Sequence, residues 1–251
     1  SLHRVDGIVF DVAAFTNLQH DHLDYYGDME NYFQAKALLF TPEHSRHGVV
    51  CGDDEWGRRL AQQATVPVTT VSALTEEAAD WQVRDVTPDK TIGRTVFTLI
   101  DPSGNGHRVA MPILGEVNIQ NTAVAIVSAV SLGIDLADVI ATIEDAPQIP
   151  GRMEKVNPTP GGQPLVIVDY AHNAAAYAAL AETARAMTPG RLVGVVAAPG
   201  DRRDGDLVDI DVAAANVDPS AFGTAAEAVC PARTEHNGQT GRRRTVLPAG
   251  L

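Results

Sequence analysis

The stretch FTNLQHDHLDYYGDMENYFQAKALLF, residues 15–40, contains most of what the sequence indicates about the fold. Asp28 follows a glycine and predicts a helix cap, and the run from Met29 to Phe40 predicts a helix. Upstream, the apolar run from Ile8 to Phe15 predicts a buried strand. The polar segment from Thr16 to Asp24 therefore follows directly after a buried strand, which is where open α/β sheets place their ligands.

Lys36 has apolar neighbours on its predicted helix. Residues three and four apart share one face of a helix, and the residues at those distances are Tyr32, Phe33, Leu39 and Phe40. We therefore expect the lysine to lie in the apolar stripe and not on the solvent side. Burial there would favour the neutral amine, which can react with carbon dioxide to give a metal-binding carbamate. The alternative, and the commoner case for a single lysine, is a buried stem with its ammonium group in water.

His22 lies beside two acidic residues, Asp21 and Asp24, in the segment between the predicted strand and the predicted helix. Imidazole and carboxylate groups together can bind a divalent cation. The alternative is a solvated acidic loop, because the short pattern D-H-L-D has little specificity by itself.

The composition indicates a globular protein with one large or two modest domains. The chain has 251 residues, of which 45% are hydrophobic and 20% are charged. Its net charge of −13 argues against a general nucleic-acid partner. Cys51 and Cys230 have no metal-ligand spacing and fit a reducing cytosol, so we expect a cytoplasmic protein. No apolar run is long enough to span a bilayer, so we expect no membrane partner, and the oligomeric state is left open.

The remaining pattern predicts two α/β domains with a boundary near residues 147–152. The predicted elements of the first domain are strands at Gly48–Cys51 and Val66–Val71, helices at Asp54–Ala64, Asn118–Leu132 and Asp135–Asp145, and antiparallel hairpins between Trp81 and Met111. In the second, a buried strand at Leu165–Val168, a helix at Ala174–Met187 and a strand at Leu192–Ala197 predict a small parallel sheet.

Four residues in these domains lie in patterns suited to ligand binding. Asn118 starts a helix and is by default a cap. Arg152 can bind phosphate oxygens, with a salt bridge to Glu154 as the alternative. Asp169 ends a predicted strand, where a carboxylate can bind ribose hydroxyls. Arg202, in APGDRRD, follows the next strand and can bind a carboxylate, with a solvated turn as the alternative.

Taken together, these motifs resemble the Mur ligases, ATP-dependent amide ligases that build the peptide of peptidoglycan. The pattern TNLxxDHLDYxGxMxxYxxAKxxLF is most similar to the tripeptide synthetases among them, which add the third residue, and PGRME and DYAHN are similar to later motifs of the family. The resemblance implies a partial central ATPase domain at residues 1–148, with a mostly parallel sheet and antiparallel edge hairpins. An incomplete Rossmann-like C-terminal domain at 149–215 and a poorly ordered tail at 216–251 would follow.

The resemblance also implies cofactors. Lys36, as a carbamate, and His22 would hold Mg²⁺, while Asn118, Arg152 and Asp169 would bind ATP. In this family an acyl phosphate forms from ATP and is then attacked by the incoming amine.

The substrates implied by the resemblance are UDP-N-acetylmuramoyl dipeptide, contacted by Arg4, and a free amino acid, contacted by Arg202. That amino acid would be meso-diaminopimelate or L-lysine. His172 is a further catalytic candidate that would orient the loop between the domains.

Two departures from the family pattern keep alternatives open. The segment around Arg202 is similar to cyanophycin synthetases, which suggests a different amide-ligase substrate. A phosphate loop of the form G-x-x-x-x-G-K-[ST] does not occur in the chain. We therefore expect the chain to be inactive alone, and a non-catalytic, nucleotide-binding remnant is the third hypothesis.

Overall fold

A computed structural model describes residues 5, 7–20, 23–89, 94–156, 165–172, 174–187, 192, 194, 227–228 and 245–246 of the chain. The chain divides into two compact units, Ser1–Ile149 and Pro150–Leu251. Across the described ranges, no helix combines the length and apolar character needed to cross a membrane.

The first unit is built on a six-stranded sheet with the strand order β1-β2-β3-β4-β5-β6. Its strands are β1 (Ala13–Phe15), β2 (Gly48–Cys51), β3 (Val68–Ser72), β4 (Trp81–Asp89), β5 (Arg94–Ile100) and β6 (Gly106–Met111). The first four strands pair in parallel, and the last three pair antiparallel. The mixed α/β fold and the antiparallel hairpins at one edge are therefore confirmed.

Among the described residues of this unit, the α-helices are α1 (Leu23–Tyr26), α2 (Met29–Ala37), α3 (Glu55–Gln63), α4 (Glu116–Ser131) and α5 (Leu136–Glu144). Three of them begin at an aspartate whose carboxylate accepts a backbone N–H of the first turn, which satisfies a donor that the helix itself cannot. These caps are Asp28, Asp54 and Asp135. The cap that the sequence predicted at Asp28 is confirmed.

The central strand β2 shows why the sheet is buried on both faces. All four of its residues are buried. Val49 and Cys51 pack in one apolar cluster with residues of α4 and α5, whereas Val50 packs in a second cluster with residues of α2 and α3. Successive side chains of a strand point to opposite faces, so β2 contributes to both clusters and has no polar position.

The strand β6 lies at one edge of the sheet and is protected there by a side chain from α5. The Glu144 carboxylate accepts a hydrogen bond from the backbone N–H of Ala110 at 3.1 Å, and Arg108 lies 3.4 Å from the same oxygen. An N–H group that an edge strand would leave unpaired is therefore satisfied within the chain.

Two predicted elements are shorter than expected. The strand predicted from Ile8 pairs regularly only from Ala13, because Ile8 and Val9 are 47% and 43% exposed. Upstream of Ala13, Phe10 forms a single parallel bridge with Ser45. The helix predicted from Met29 to Phe40 is α-helical only to Ala37, and a 3₁₀ turn, Leu38–Phe40, follows.

In the second unit the structure describes β7 (Glu154–Lys155), β8 (Ile167–Val168), α6 (Ala174–Met187), β9 (Glu227–Ala228) and β10 (Thr245–Val246). Helix α6 has the predicted bounds. The buried strand predicted at Leu165–Val168 is wrong, because Leu165 and Val168 are 49% and 44% exposed and only two residues pair, antiparallel, with β7. Most of the strand predicted at Leu192–Ala197 lies outside the described residues.

Candidate functional site

The parallel strands β1, β2 and β3 end at one edge of the sheet, and a partly buried polar network lies there. Asp53, just after β2, is its centre. Its carboxylate accepts hydrogen bonds from the backbone N–H groups of Ala73 and Leu74, the Thr75 hydroxyl, the Cys51 thiol and the Gln120 amide. We call these residues, together with Asn17, the Asp53 network. It joins the ends of two strands to helix α4.

Electrostatics keep the Asp53 carboxyl group ionised within this network. Burial works to raise its pKa, but the hydrogen bonds from Cys51, Leu74, Ala73 and Gln120 outweigh burial and leave the pKa below its ordinary value. Burial raises the pKa of the Cys51 thiol to about 12, so this thiol is a neutral donor. The network thus contains one negatively charged group, the Asp53 carboxylate. Most of the hydrogen bonds that its two oxygens can accept come from other groups of the protein.

Gln120 extends the Asp53 network to the segment that follows β1. Its Nε2 donates to Asp53 Oδ2 at 3.1 Å and to Cys51 Sγ at 3.2 Å, and its Oε1 accepts from Asn17 Nδ2 at 3.0 Å. A second bond to the same segment runs from the backbone N–H of Leu18 to Asp54 Oδ2 at 3.1 Å. Asn17 belongs to a motif that the sequence analysis quoted, but sequence patterns did not identify its contact with Gln120, nor Asp53 or Gln120 themselves, since these contacts span up to 103 positions in the chain.

Asn118 lies in the first turn of α4, two residues before Gln120. Its side chain hydrogen-bonds to a residue outside the Asp53 network. The cap of this helix is Gly115, with φ of +103°, so the cap predicted at Asn118 is wrong. Asn118 Nδ2 instead donates to the backbone carbonyl of Leu114 at 2.7 Å. Because glycine adopts a positive φ without strain, the chain turns before Asn118 and places it inside the helix.

Lys36 is exposed, which contradicts its predicted place in the apolar stripe. The α-helix ends at Ala37, so Leu39 and Phe40 belong to the 3₁₀ turn and no longer share the face of Lys36. Its Nζ lies 5.2 Å from the centroid of the Tyr32 ring, a contact that suits an ammonium group. The burial that would favour a neutral amine is therefore absent at this position.

Helix α2, which carries Lys36, is held against α3 by a pair that the sequence did not reveal. Glu30 and Arg59 form two hydrogen bonds of 2.6 Å, and the Arg59 guanidinium lies 4.6 Å from the centroid of the Phe33 ring. The hydrogen bond from Arg59 is the main reason that the pKa of Glu30 falls to about 2. The pair orients the helix without contacting Lys36.

The described residues do not by themselves assemble a magnesium site. Within them, no group of three or more His, Cys, Asp or Glu side chains is placed to hold a metal ion. His22, the predicted partner of Lys36, lies outside the described residues, as do Arg4 and Arg202. Metal binding by Lys36 and His22 therefore remains a prediction.

In the second unit, two predicted residues lie close to the same tyrosine. The Arg152 guanidinium lies 5.3 Å from the centroid of the Tyr170 ring, and the His172 ring lies 5.4 Å from the same ring. Tyr170 is 66% exposed. Arg152 and His172 thus both lie beside the exposed Tyr170 ring, and we call these three residues the Tyr170 platform.

Asp169 fixes the chain beside this platform. Its Oδ2 accepts from the backbone N–H of Met153 at 2.9 Å, and its Oδ1 accepts from that of Ala171 at 2.8 Å. Met153 has a φ of +48°, which is unusual for a non-glycine residue. Glu154, the alternative partner proposed for Arg152, accepts instead from the backbone N–H of Gly151. Asp169 therefore holds the turn that carries Arg152.

Comparison with known protein families gives matches in both units. Residues 1–129 match the family model described as the Mur ligase middle domain, and residues 151–231 match the one described as the Mur ligase, glutamate ligase domain.

Curated relatives agree with these matches. The UDP-N-acetylmuramyl-tripeptide synthetase of Leifsonia xyli subsp. xyli is 46% identical over 207 residues, which cover 80% of this chain and 39% of the relative. The UDP-N-acetylmuramoyl-L-alanyl-D-glutamate--2,6-diaminopimelate ligase of Streptomyces coelicolor is 43% identical over 204 residues, again 80% of this chain and 39% of the relative. The chain spans about two fifths of the length of these relatives.

Solved structures give the same family. A UDP-N-acetylmuramoyl-L-alanyl-D-glutamate--2,6-diaminopimelate ligase superposes with a TM-score of 0.60 at 28% identity, covering 82% of this chain and 42% of that one. MurF from Acinetobacter baumannii shares the fold, with a TM-score of 0.67 at 24% identity. The match covers 79% of this chain and 42% of the MurF chain. Because the middle-domain model alone matches 129 of the 251 residues, this chain belongs to the Mur ligase family.

Proposed function

We propose that this chain is part of an ATP-dependent amide ligase of peptidoglycan synthesis. The ligase would add the third amino acid to UDP-N-acetylmuramoyl-L-alanyl-D-glutamate through an acyl phosphate. The observation that carries the proposal is the 46% identity over 207 residues to a relative named as a tripeptide synthetase. Since the chain covers 39% of that relative, the activity is proposed for the whole protein and not for this part alone.

ATP would contact Arg152 and Asp169 in the second unit and Asn118 in the first, and the chemistry of each side chain supports its proposed role. Arg152 is exposed and always charged, and its planar guanidinium matches phosphate oxygens. Each carboxylate oxygen of Asp169 accepts one backbone N–H and can accept a second donor, as binding of ribose hydroxyls requires. Asn118 uses one amide hydrogen in its bond to Leu114, so its side-chain carbonyl oxygen and second amide hydrogen can bond to a nucleotide. ATP would supply the phosphoryl group for the acyl phosphate.

The remaining roles rest on the resemblance to the family. Lys36, as a carbamate, and His22 would hold Mg²⁺, Arg4 would contact the UDP-linked dipeptide, and Arg202 would contact the incoming amino acid. His172 would orient the segment after Asp169. A relative named as a 2,6-diaminopimelate ligase favours diaminopimelate over L-lysine as that amino acid, and the ligase would act in the cytoplasm.

Domain boundaries are part of the same proposal. The central ATP-binding domain would comprise residues 1–148, the start of the C-terminal domain residues 149–215, and an atypical tail residues 216–251. The compact units, which meet between Ile149 and Pro150, are consistent with this division.

A chimera tests the proposal. In it, this chain replaces the matching region of the Leifsonia xyli synthetase. The chimera is incubated with MgATP, UDP-N-acetylmuramoyl-L-alanyl-D-glutamate and, in separate reactions, meso-diaminopimelate, L-lysine, L-aspartate or L-arginine. We expect ADP release and a new amide product, detected by mass, with one of the first two amino acids. The unmodified synthetase is the positive control.

Other outcomes would favour the alternatives. Product with aspartate or arginine only would indicate a ligase of the cyanophycin-synthetase type. A folded chimera that binds nucleotide but forms no product would indicate a non-catalytic remnant.

A further inference from the structure

Gln120 is a buried polar residue for which neither the fold nor the proposed catalytic roles account. It is 5% exposed, and its side chain makes the hydrogen bonds to Asn17, Asp53 and Cys51 described above. An apolar residue would fill the same space on this face of α4 without requiring three polar partners.

The charge on Asp53 determines how the Gln120 amide is oriented. If the amide were rotated by half a turn, its oxygen would face the Asp53 carboxylate and its nitrogen would face the amide nitrogen of Asn17. Both contacts would then be repulsive, since a carboxylate is an acceptor only and an amide nitrogen a donor only. Gln120 must therefore present its oxygen to Asn17.

The orientation passes on to Asn17 itself. Because Asn17 Nδ2 donates to Gln120, the orientation of the planar Asn17 amide is fixed as well. Asn17 lies two residues after the end of β1. It is therefore at the edge where parallel sheets bind ligands. The fixed charge of Asp53 thus determines, through one buried amide, how the segment after β1 is arranged.

We propose that Gln120 is a positioning residue that couples the segment after β1, residues 16–18, to helix α4 and so to nucleotide binding. The inference rests on the proposed nucleotide-binding role of Asn118, two residues before Gln120 on the same helix. Loss of the Gln120 amide removes the side-chain hydrogen bond between residues 16–18 and α4, and we expect this loss to lower the affinity for nucleotide.

Binding of the fluorescent ATP analogue mant-ATP to the 251-residue chain tests this inference. Gln120→Met keeps the length of the side chain and removes its hydrogen bonds. We expect the Kd to rise about fivefold, the change that corresponds to loss of about one net hydrogen bond. Ser45→Ala is the matched control, because Ser45 is 1% exposed and donates one hydrogen bond, to the Leu39 carbonyl, at the opposite end of β2. It should leave the Kd unchanged.

Asn17→Ala removes the same contact from its other end and serves if Gln120→Met does not fold by circular dichroism. The double variant should bind no more weakly than the weaker single variant. Independent structural damage would instead add the two losses, and additivity would overturn the coupling.

The remaining outcomes separate the inference from the proposed function. If the wild-type chain binds mant-ATP and Gln120→Met binds it equally well, the positioning role is wrong and nucleotide binding stands. If the wild-type chain does not bind mant-ATP, nucleotide binding by this chain is wrong, and hydrogen exchange decides the positioning role. Faster amide exchange at residues 16–18 in Gln120→Met than in Ser45→Ala then supports it, and equal exchange overturns it.

Discussion

The Asp53 network and the Tyr170 platform both consist of polar groups, but they use those groups in opposite ways. The Asp53 carboxylate is half-buried in the first unit and accepts hydrogen bonds from both backbone and side chains. The Tyr170 ring is 66% exposed, and the Arg152 guanidinium beside it is exposed as well. Polar groups paired within the protein stabilise its fold, whereas exposed ones with spare capacity are available to a ligand. We therefore expect substitutions in the first region to reduce stability and those in the second to reduce binding.

The largest expected effect is at Lys36, which is exposed like the Tyr170 platform although it lies in the first unit. Lys36→Ala should abolish ligation in the chimera and leave the urea midpoint of the 251-residue chain almost unchanged, because the side chain buries little surface. Acetate should partly restore activity by replacing the carboxylate of the carbamate. Full activity of the unsupplemented variant would rule out the carbamate.

Gly57→Ala should cause the largest loss of stability. A Cβ atom at Gly57 would lie 1.8 Å from the backbone carbonyl oxygen of Cys51, so helix α3 would have to move away from β2. We expect the free energy of unfolding to fall by about 3 kcal/mol, in the range of overpacking substitutions, as measured by urea denaturation. Gly52→Ala is the control, because its Cβ would meet nothing closer than 3.8 Å. Equal stability of the two variants would contradict the close approach.

Asp53→Asn should lower the free energy of unfolding by about 2 kcal/mol, since the amide nitrogen cannot accept the hydrogen bonds that a carboxylate oxygen accepts. The pKa of Asp53 is lower in the folded protein than its ordinary value of 3.8. Its contribution is therefore complete above pH 3.8 and is lost as the pH falls through the folded-state pKa. The difference between wild type and variant should shrink below about pH 4. A constant difference from pH 3 to pH 7 would show that charge is not involved.

Arg152→Ala should leave the stability of the chain within about 0.5 kcal/mol of wild type, as is usual for exposed positions. It should raise the Kd for mant-ATP by about tenfold, the loss expected for one charge-assisted phosphate contact. Arg152→Lys keeps the positive charge but not the planar guanidinium. Its Kd for mant-ATP should lie between those of the wild type and Arg152→Ala. Unchanged nucleotide affinity in Arg152→Ala would remove Arg152 from the ATP site.

The smallest effect is expected for Glu30→Gln, on the surface pair with Arg59. The variant should shift the urea midpoint by less than Asp53→Asn does, and the shift should diminish at high salt, because exposed ion pairs are screened. The pKa of Glu30 falls from 4.5 to about 2 in the folded protein, so its contribution is lost as the pH falls from 4.5 to about 2. A salt-independent shift would indicate lost packing instead of lost charge.

Local signals predicted the fold of the first unit well. The aspartate at position 28, the apolar run in β2 and the alternating pattern from Trp81 to Met111 each depend on neighbours a few residues away. The sequence missed what depends on contacts between distant elements. Lys36 was expected to be buried because the early end of α2 could not be anticipated, and the network around Asp53 joins residues up to 103 positions apart.

The candidate site shows the same limit. Motifs singled out Arg152, Asp169 and His172, and in the structure the Arg152 and His172 side chains lie beside the ring of Tyr170. They did not reveal that both carboxylate oxygens of Asp169 accept backbone N–H groups. A motif names residue types, but the partner of each atom depends on how the turn at Met153 folds.

The glutamate at the end of α5 has a consequence for the chain at high concentration. The free edge of a sheet can pair with the same edge of another molecule, which begins aggregation. At β6 the Glu144 carboxylate already occupies the backbone N–H of Ala110, so this group cannot pair with an approaching copy. A single side chain thus removes one of the hydrogen bonds that an added strand would need.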